Sequence, residues 1–438
     1  MDDLTHRAKK ILASNYLNGF TKPAPSLYPY QWNWDSGFIA MAYAHYDEKK
    51  AVKEMKSLFS GQWKNGMLPQ IVFHVDSDLY FPGPEFWKTD EAEMSPTGIK
   101  TSGITMPPVH GFALKYIVDH TTMGSENINE IQFLWDKVFF LHQYLYTLRD
   151  PYQEGLPYII HPWEPGTDNS PILDSVLEKI NIDSLSLPDY HRKDLQSEDA
   201  IHHRPQKKDY DRYVYLVDLF RKLHYDDKEI FVNSPFLVQD PLFIGILSRS
   251  NKDLISLGKS LGRDTQQLEY WDNLTSKSMN EKLWDPRGIY NAYDLKSKET
   301  IDVYSNSGFI PLLAGIPDTH QAKIMSGYIS SPSFSGTTNA PGYLCPTHAI
   351  DHPAHDPQRY WRGPVWLNLN WMLSEGLRGY GNGTLADRII KDSLELVKEN
   401  GFFEYFDPRK NNLSPAGCGT DHFSWTAAMV VLMSQENN

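Results

Sequence analysis

The stretch "LWDKVFFLHQYLYTL", residues 134–148, sets Leu134, Val138, Leu141, Leu145 and Leu148 at i, i+4, i+7, i+11 and i+14. A period of 3.6 residues puts all five on one stripe, so the segment reads as an amphipathic helix that buries one face. The same spacing recurs in Leu216, Phe220 and Leu223, and again in Ile390, Leu394 and Val397. Helical patterning also covers 3–17, 36–47, 49–60, 108–119, 240–249, 251–262, 265–283, 307–326, 365–378 and 423–435. Hardly any segment alternates with the period of two that a half-buried strand requires. The chain therefore reads as all-α, with a dozen or more helices.

Long connections lie between these helices, at 22–34, 61–108, 150–172, 328–364 and 402–422. Loops longer than about 12–15 residues in a compact domain are usually functional or disordered. These are rich in Pro, Gly and aromatic residues, which argues against disorder. The exception is "DYHRKDLQSEDAIHHRPQKKDYDR", residues 189–212, whose composition alone is that of a solvated connector. No composition break or close repeat divides the chain, so a single domain over 1–438 is expected. Helices with long loops between them fit an irregular helical domain or an α/α toroid of two concentric rings, and periodicity does not choose between the two.

Composition narrows the function. A chain of 438 residues buries roughly three quarters of its unfolded surface, so a large core is no difficulty. The formal charge of −13, from 42 basic and 55 acidic residues, lacks the cationic excess that displaces counterions from nucleic-acid phosphates. No run of 18 apolar residues is present to span a membrane, and the first twenty residues carry no secretory pattern. Two cysteines, Cys345 and Cys418, make neither a disulfide framework nor a metal spacing, so a reduced, cytoplasmic setting is expected. Aromatic residues reach 13%, with 12 Trp and 25 Tyr, and such rings lie well against the apolar faces of sugars as well as in cores.

Five segments concentrate chemistry-bearing residues in the long loops. "YPYQWNWDSGF" (28–38) places Tyr28, Trp32, Trp34 and Asp35 before a helix, with Asp35 or Ser36 at its N-cap. "GMLPQIVFH" (66–74) and "YFPGPEFW" (80–87) supply Gln70, Tyr80 and Trp87. "HPWEPGTDNSP" (161–171) holds Glu164 and Asp168 in a turn with three prolines. "YWRGPVWLNLNW" (360–371) gathers Tyr360, Trp361, Arg362 and Trp366 around a helix start, and "GFFEYFDP" (401–408) carries Glu404 ahead of a last apolar helix with "TDHFSWTAAM" (420–429).

Taken in order from Tyr28 to Trp425, these segments resemble the α/α-barrel glycoside hydrolases of family 63, and within them the bacterial mannosylglycerate and glucosylglycerate hydrolases. The resemblance implies an (α/α)6 toroidal barrel with its long loops forming the active-site mouth. It implies an inverting α-glycosidase acting on a small α-glucoside or α-mannoside, with no cofactor and no metal. By resemblance Asp168 is the general acid and Glu404 the general base. The family's chemistry supplies the reason for two carboxyls: an oxocarbenium-like transition state needs one to protonate the leaving oxygen and, with inversion, a second roughly 6.5–9.5 Å away to activate water. Asp35 is then expected to accept hydrogen bonds from sugar hydroxyls, within walls made by Trp32, Trp34, Trp361 and Trp366. Arg362 is expected to bind sugar hydroxyls or to anchor its loop, and Glu164 to orient the acid loop. Arg204 and Tyr210, in a mobile lid around 185–212, are expected to hold the carboxylate of a glycerate aglycone, a task for which the arginine fork is well shaped. Tyr28, Tyr80 and Tyr360 match positions lining that pocket. The chain departs from the pattern at Met106, where a glutamine is expected, and at Gln70, where a histidine is expected, and both departures touch specificity for the aglycone.

Three other readings stand beside this one: an α-glucosidase with a different small or oligosaccharide aglycone, a sugar-binding barrel without turnover, and a metal-dependent hydrolase. The last would use "THAIDHPAHD", with His348, His352 and His355 beside Asp351 and Asp356. Pro353 biases the residue before it away from helix, so His348 and His352 are not expected one turn apart on a shared face.

Overall fold

In the computed structural model, the described residues are 2–121, 128–183, 186–195, 198–338, 340–410 and 416–435. Within them the helices that build the barrel are, in chain order, α1 (Asp2–Asn15), α2 (Asn33–Ala44), α3 (Glu48–Phe59), α4 (His110–His120), α5 (Ile128–Leu148), α6 (Pro241–Ser260) and α7 (Gln266–Ser278). A 3-10 helix (Asn306–Ala314) follows, then α8 (Thr319–Ile329), α9 (Leu367–Gly379), α10 (Gly383–Asn400) and α11 (Ser424–Gln435). Each of α2, α4, α6, the 3-10 helix, α9 and α11 packs on the next, and α11 returns to α2, closing an inner ring of six. The intervening helices form the outer ring, with α1 against α11, α3 against α2, α7 against α6 and α10 against α9. This is the (α/α)6 barrel.

Burial explains which helices lie where. Every residue of α2 is buried, as is α11 from Ser424 to Ser434, so these helices are covered on all sides and belong inside. The outer α3 buries a single stripe of Ala51, Val52, Met55, Leu58 and Phe59. On α5, Leu134, Val138, Leu141 and Leu145 are buried as their spacing predicts, while Leu148 is half-buried. Inner helices approach closely enough to need small residues: a Cβ on Gly111 of α4 would stand 2.4 Å from the Ser250 carbonyl oxygen of α6.

Two expected helices, 240–249 and 251–262, are one continuous helix. Ser250 and Asn251 do not interrupt it because both are satisfied inside: the Ser250 hydroxyl donates to the Pro108 carbonyl, and Asn251 Nδ2 donates to the Tyr146 hydroxyl at 2.7 Å. The expected helix over 307–326 is instead divided. Pro311 lies within the 3-10 turn, Gly315 ends it at φ +64°, and α8 restarts behind a capping box of Asp318 and Gln321. The helix expected over 265–283 closes in a π turn at Met279–Leu283. Strands are short, and two pairs serve the mouth: Gln31–Trp32 beside Ile71–Val72, and Tyr405–Phe406 beside Gly417–Cys418, both antiparallel. Among the described residues no helix is long and apolar enough to cross a membrane.

Candidate active site

Glu404 follows the glycine that ends α10, in a turn held at both flanks. Its amide donates to the Thr420 carbonyl at 2.9 Å, its carbonyl accepts from Trp425 Nε1 at 3.2 Å, and Tyr405 pairs with Cys418. Gly419 passes directly beneath the side chain: at φ +74°, a Cβ there would meet Glu404 Oε2 at 2.5 Å. The carboxylate is buried and engaged on both oxygens. Oε1 accepts from the Tyr28 hydroxyl at 2.9 Å and from Arg204 Nη1 at 3.4 Å; Oε2 accepts from Arg204 Nη2 at 2.7 Å and from the Thr420 amide at 3.3 Å.

Asp168 is held by a different device. Its loop is rigid because Glu164, fully buried, is clamped from several directions: Arg149 Nη2 donates to Oε1 at 3.0 Å and Nη1 to Oε2 at 3.1 Å, while the amides of Thr105 and Ile160 add bonds of 3.1 and 2.7 Å. Arg149 also donates from Nε to Asp227 and the Tyr144 hydroxyl, which completes a buried network. Further along, Gly166 lies against the Trp34 ring, where a Cβ would come within 2.5 Å of Cζ2. Asn169 Oδ1 accepts from the Trp361 amide at 3.0 Å, and the Tyr213 hydroxyl donates to the Asp168 carbonyl at 2.5 Å. Burial, aided by the charges of Glu404 and Asp194, pushes the Asp168 carboxyl up to about 7 against the opposing pull of its own backbone amide and of Arg204.

Removing the Glu164 charge leaves a buried guanidinium short of its partner. Glu164→Gln is expected to cost about 3–5 kcal/mol of stability, read as a lowered thermal midpoint. An unchanged midpoint would show that the clamp does not hold the loop.

Both carboxyls open onto one shared cavity. Tyr28, Trp32, Trp34, Asp35, Gln70 and Tyr80 line it, as do Arg204, Tyr210, Tyr360 and Trp361, so ten of the expected binding residues come together with Asp168 and Glu404. Gln70 Oε1 and Trp361 Nε1 are buried there without a protein partner, an acceptor and a donor of the kind a polyhydroxyl ligand would satisfy. Asp35 is buried, and burial first, then the charges of Glu404 and Glu54, raise its carboxyl to about 8 despite its backbone hydrogen bond.

Several expectations are corrected. Arg362 does not reach the cavity: it forms a forked pair with Asp174 at 2.9 and 2.6 Å and donates to the Asn169 carbonyl, and so ties the acid loop to its neighbour. Trp366 lies one layer back, fully buried and stacked beneath Trp361 with ring centres 3.6 Å apart. Neither Asp35 nor Ser36 caps α2, because pairing of Trp32 with Ile71 starts the helix at Asn33, and the Ser36 hydroxyl donates to buried Glu54 at 2.7 Å. Met106 does line the cavity.

Sequence reading passes over Phe81, Trp163, Asp194, Phe423 and Trp425 as lining residues. Phe81, Trp163, Phe423 and Trp425 stand inside motifs that it does single out. Asp194 is hidden in the charged connector, where nothing marks one acid as inward-facing. In the charged connector expected to form a lid, whose residues 185, 196 and 197 lie outside those described, Arg192 pairs with Asp194 at 2.6 and 2.9 Å and donates to the Pro205 carbonyl at 2.6 Å. The Tyr190 ring stacks on Tyr210 and Phe81. Arg204 and Tyr210 of this connector are both buried.

The histidine segment runs through turns and bends, with the His348 and His352 rings 4.6 Å apart and His355 Nδ1 3.2 Å from the His348 carbonyl. Among the described residues no group of three His, Cys, Asp or Glu could hold a metal ion.

Known proteins resemble this chain over nearly its whole length. A mannosylglycerate hydrolase of Rubrobacter radiotolerans is 42% identical over 98% of this chain and 96% of its own length. A glucosylglycerate hydrolase of Mycolicibacterium hassiacum is 32% identical over 98% of this chain and 97% of its own. The crystal structure of a family 63 mannosylglycerate hydrolase from Thermus thermophilus, in complex with Tris and D-glycerate, superposes with a TM-score of 0.89 at 40% identity, covering 98% of this chain and 100% of that one. The profile of the mannosylglycerate hydrolase MGH1-like glycoside hydrolase domain matches residues 28–426. With barrel, cavity and sequence in agreement, the chain belongs to the MGH1-like glycoside hydrolase family and is a glycoside hydrolase of the inverting, family 63 type.

Proposed function

We propose that the chain hydrolyses an α-mannoside or α-glucoside of glycerate, with Asp168 as proton donor and Glu404 as the base that activates water. The observation that carries this reading is the single cavity shared by a carboxyl raised to about 7, a second carboxylate, and Arg204, the one cation among the described lining residues. Water adds to the anomeric carbon and gives its proton to Glu404, while the carbon–oxygen bond to the aglycone breaks and that oxygen takes the proton of Asp168. Asp35, Gln70 and Trp361 bind sugar hydroxyls. Arg204 and Tyr210 face the aglycone, which accounts for a cation in a wall otherwise supplied with carboxyls. The cytoplasm is the compartment in keeping with this reading, since two cysteines in 438 residues are too few for a disulfide framework.

The test is proton NMR on a panel of α-mannosides and α-glucosides with acidic and neutral aglycones. The β-anomer is expected first, from a glycerate glycoside, with faster turnover than from the matched glycoside of glycerol. Initial release of the α-anomer would overturn inversion, and equal turnover of both aglycones would overturn glycerate recognition.

A further inference from the structure

An ionised carboxylate offers about four acceptor positions, two on each oxygen. At Glu404 four donors are in place: the Tyr28 hydroxyl and Arg204 Nη1 on Oε1, Arg204 Nη2 and the Thr420 amide on Oε2. A water molecule cannot hand its proton to a group whose acceptor positions are filled, so this is a base that has been covered. Thr420 is backbone and Tyr28 is fixed by its neighbours Trp32 and Phe423, whose rings stand edge-on to it at 5.2 and 5.8 Å. Arg204 is the donor that can leave. It comes from the lid, contributes two of the four contacts, and rests on the face of Tyr360, with its guanidinium carbon 4.6 Å from the ring centre.

We propose that Arg204 is a gate on the catalytic base, and that the carboxylate of the substrate's aglycone opens it. The gate rests on the glycerate-glycoside reading given above and adds to it a coupling between aglycone charge and catalysis. The arginine side chain is 6% exposed and the glutamate 2%, so pulling them apart leaves two poorly solvated charges. An incoming carboxylate removes that cost, because Arg204 exchanges one anion for another while Glu404 takes up the nucleophilic water in place of the guanidinium. A neutral aglycone offers no such exchange. Discrimination against it then falls on the chemical step as well as on binding.

The α-glycosyl fluoride of the preferred sugar isolates this effect, because its leaving group is small and leaves the aglycone site free. With wild-type protein, added sodium D-glycerate is expected to accelerate fluoride hydrolysis saturably, by about 10- to 100-fold. Arg204→Met is expected to hydrolyse the fluoride faster than wild type without glycerate, to lose the response to glycerate, and to show a lower kcat/KM on the glycerate glycoside. Glycerate acting on the wild type only as an inhibitor would overturn the gate, as would a variant no faster than wild type on the fluoride. The wild-type measurement stands alone if the variant does not fold. If wild type turns over the glycerate glycoside while the fluoride result is negative, the gate alone falls; if it does not turn over that glycoside, the functional reading falls with it.

Discussion

Replacing Asp168 with Asn is expected to lower kcat on a glycerate glycoside by about 10²–10⁴-fold, the range for loss of a positioned general acid. The fold is expected to survive. The loop is held by Glu164, Asn169 and the backbone carbonyl of residue 168 itself, none of which depends on the Asp168 carboxyl. The sign of the pH dependence follows from the environment of the acid. Burial, then the repulsion of Glu404 and Asp194, holds its proton up to about 7, so the donor form is present below that pH and is lost above it. Wild-type kcat/KM therefore falls as pH rises through about 7, and the variant loses this limb. A fluoride leaving group needs little protonation, so the variant recovers much of its rate on the glycosyl fluoride. Equal losses on both substrates would contradict the donor role.

Glu404→Gln is expected to give a loss of similar size, about 10²–10⁴-fold, on every substrate irrespective of leaving group, because water must be deprotonated in each case. A second consequence separates this position from Asp168. Arg204 loses the anion that draws it inward, and the lid residues Arg192, Asp194 and Pro205 are tied to its neighbourhood. The connector around 185–212 is expected to become more sensitive to limited proteolysis in Glu404→Gln and to remain resistant in Asp168→Asn. Near wild-type turnover in Glu404→Gln would remove it from the role of base.

The helical class is legible because a stripe such as Leu134 to Leu145 depends only on local spacing. The boundaries that fail do so for tertiary reasons. Ser250 and Asn251 look like an interruption until Pro108 and Tyr146 satisfy them across the barrel. Local sequence likewise cannot rank depth within a cluster of rings: Trp361 and Trp366 stand in one motif, yet one lines the cavity and the other supports it from behind. Arg362 is ambiguous for the same reason, its partner Asp174 being 188 positions away. Family likeness supplies the two carboxyls, and local pattern alone does not. The contact between Arg204 and Glu404, across 200 positions, has no signature in either segment.

The closure of the inner ring has a consequence for how the molecule forms. Its seam joins α11 to α2, and the outer α1 packs on α11 beside it, with the Thr5 hydroxyl 3.1 Å from that of Ser434 and Asn15 Nδ2 donating to Ser424 at 2.9 Å, so the contacts that seal the barrel are among the most distant in the chain. Contacts of such long range are slow to find. The turn bearing Glu404 is supported from Thr420 and Trp425 at this same seam, whereas the acid loop draws on earlier segments. The water-activating half of the machinery thus hangs on the join between the two ends of the chain, and damage at that join is expected to reach Glu404 before it reaches the proton donor.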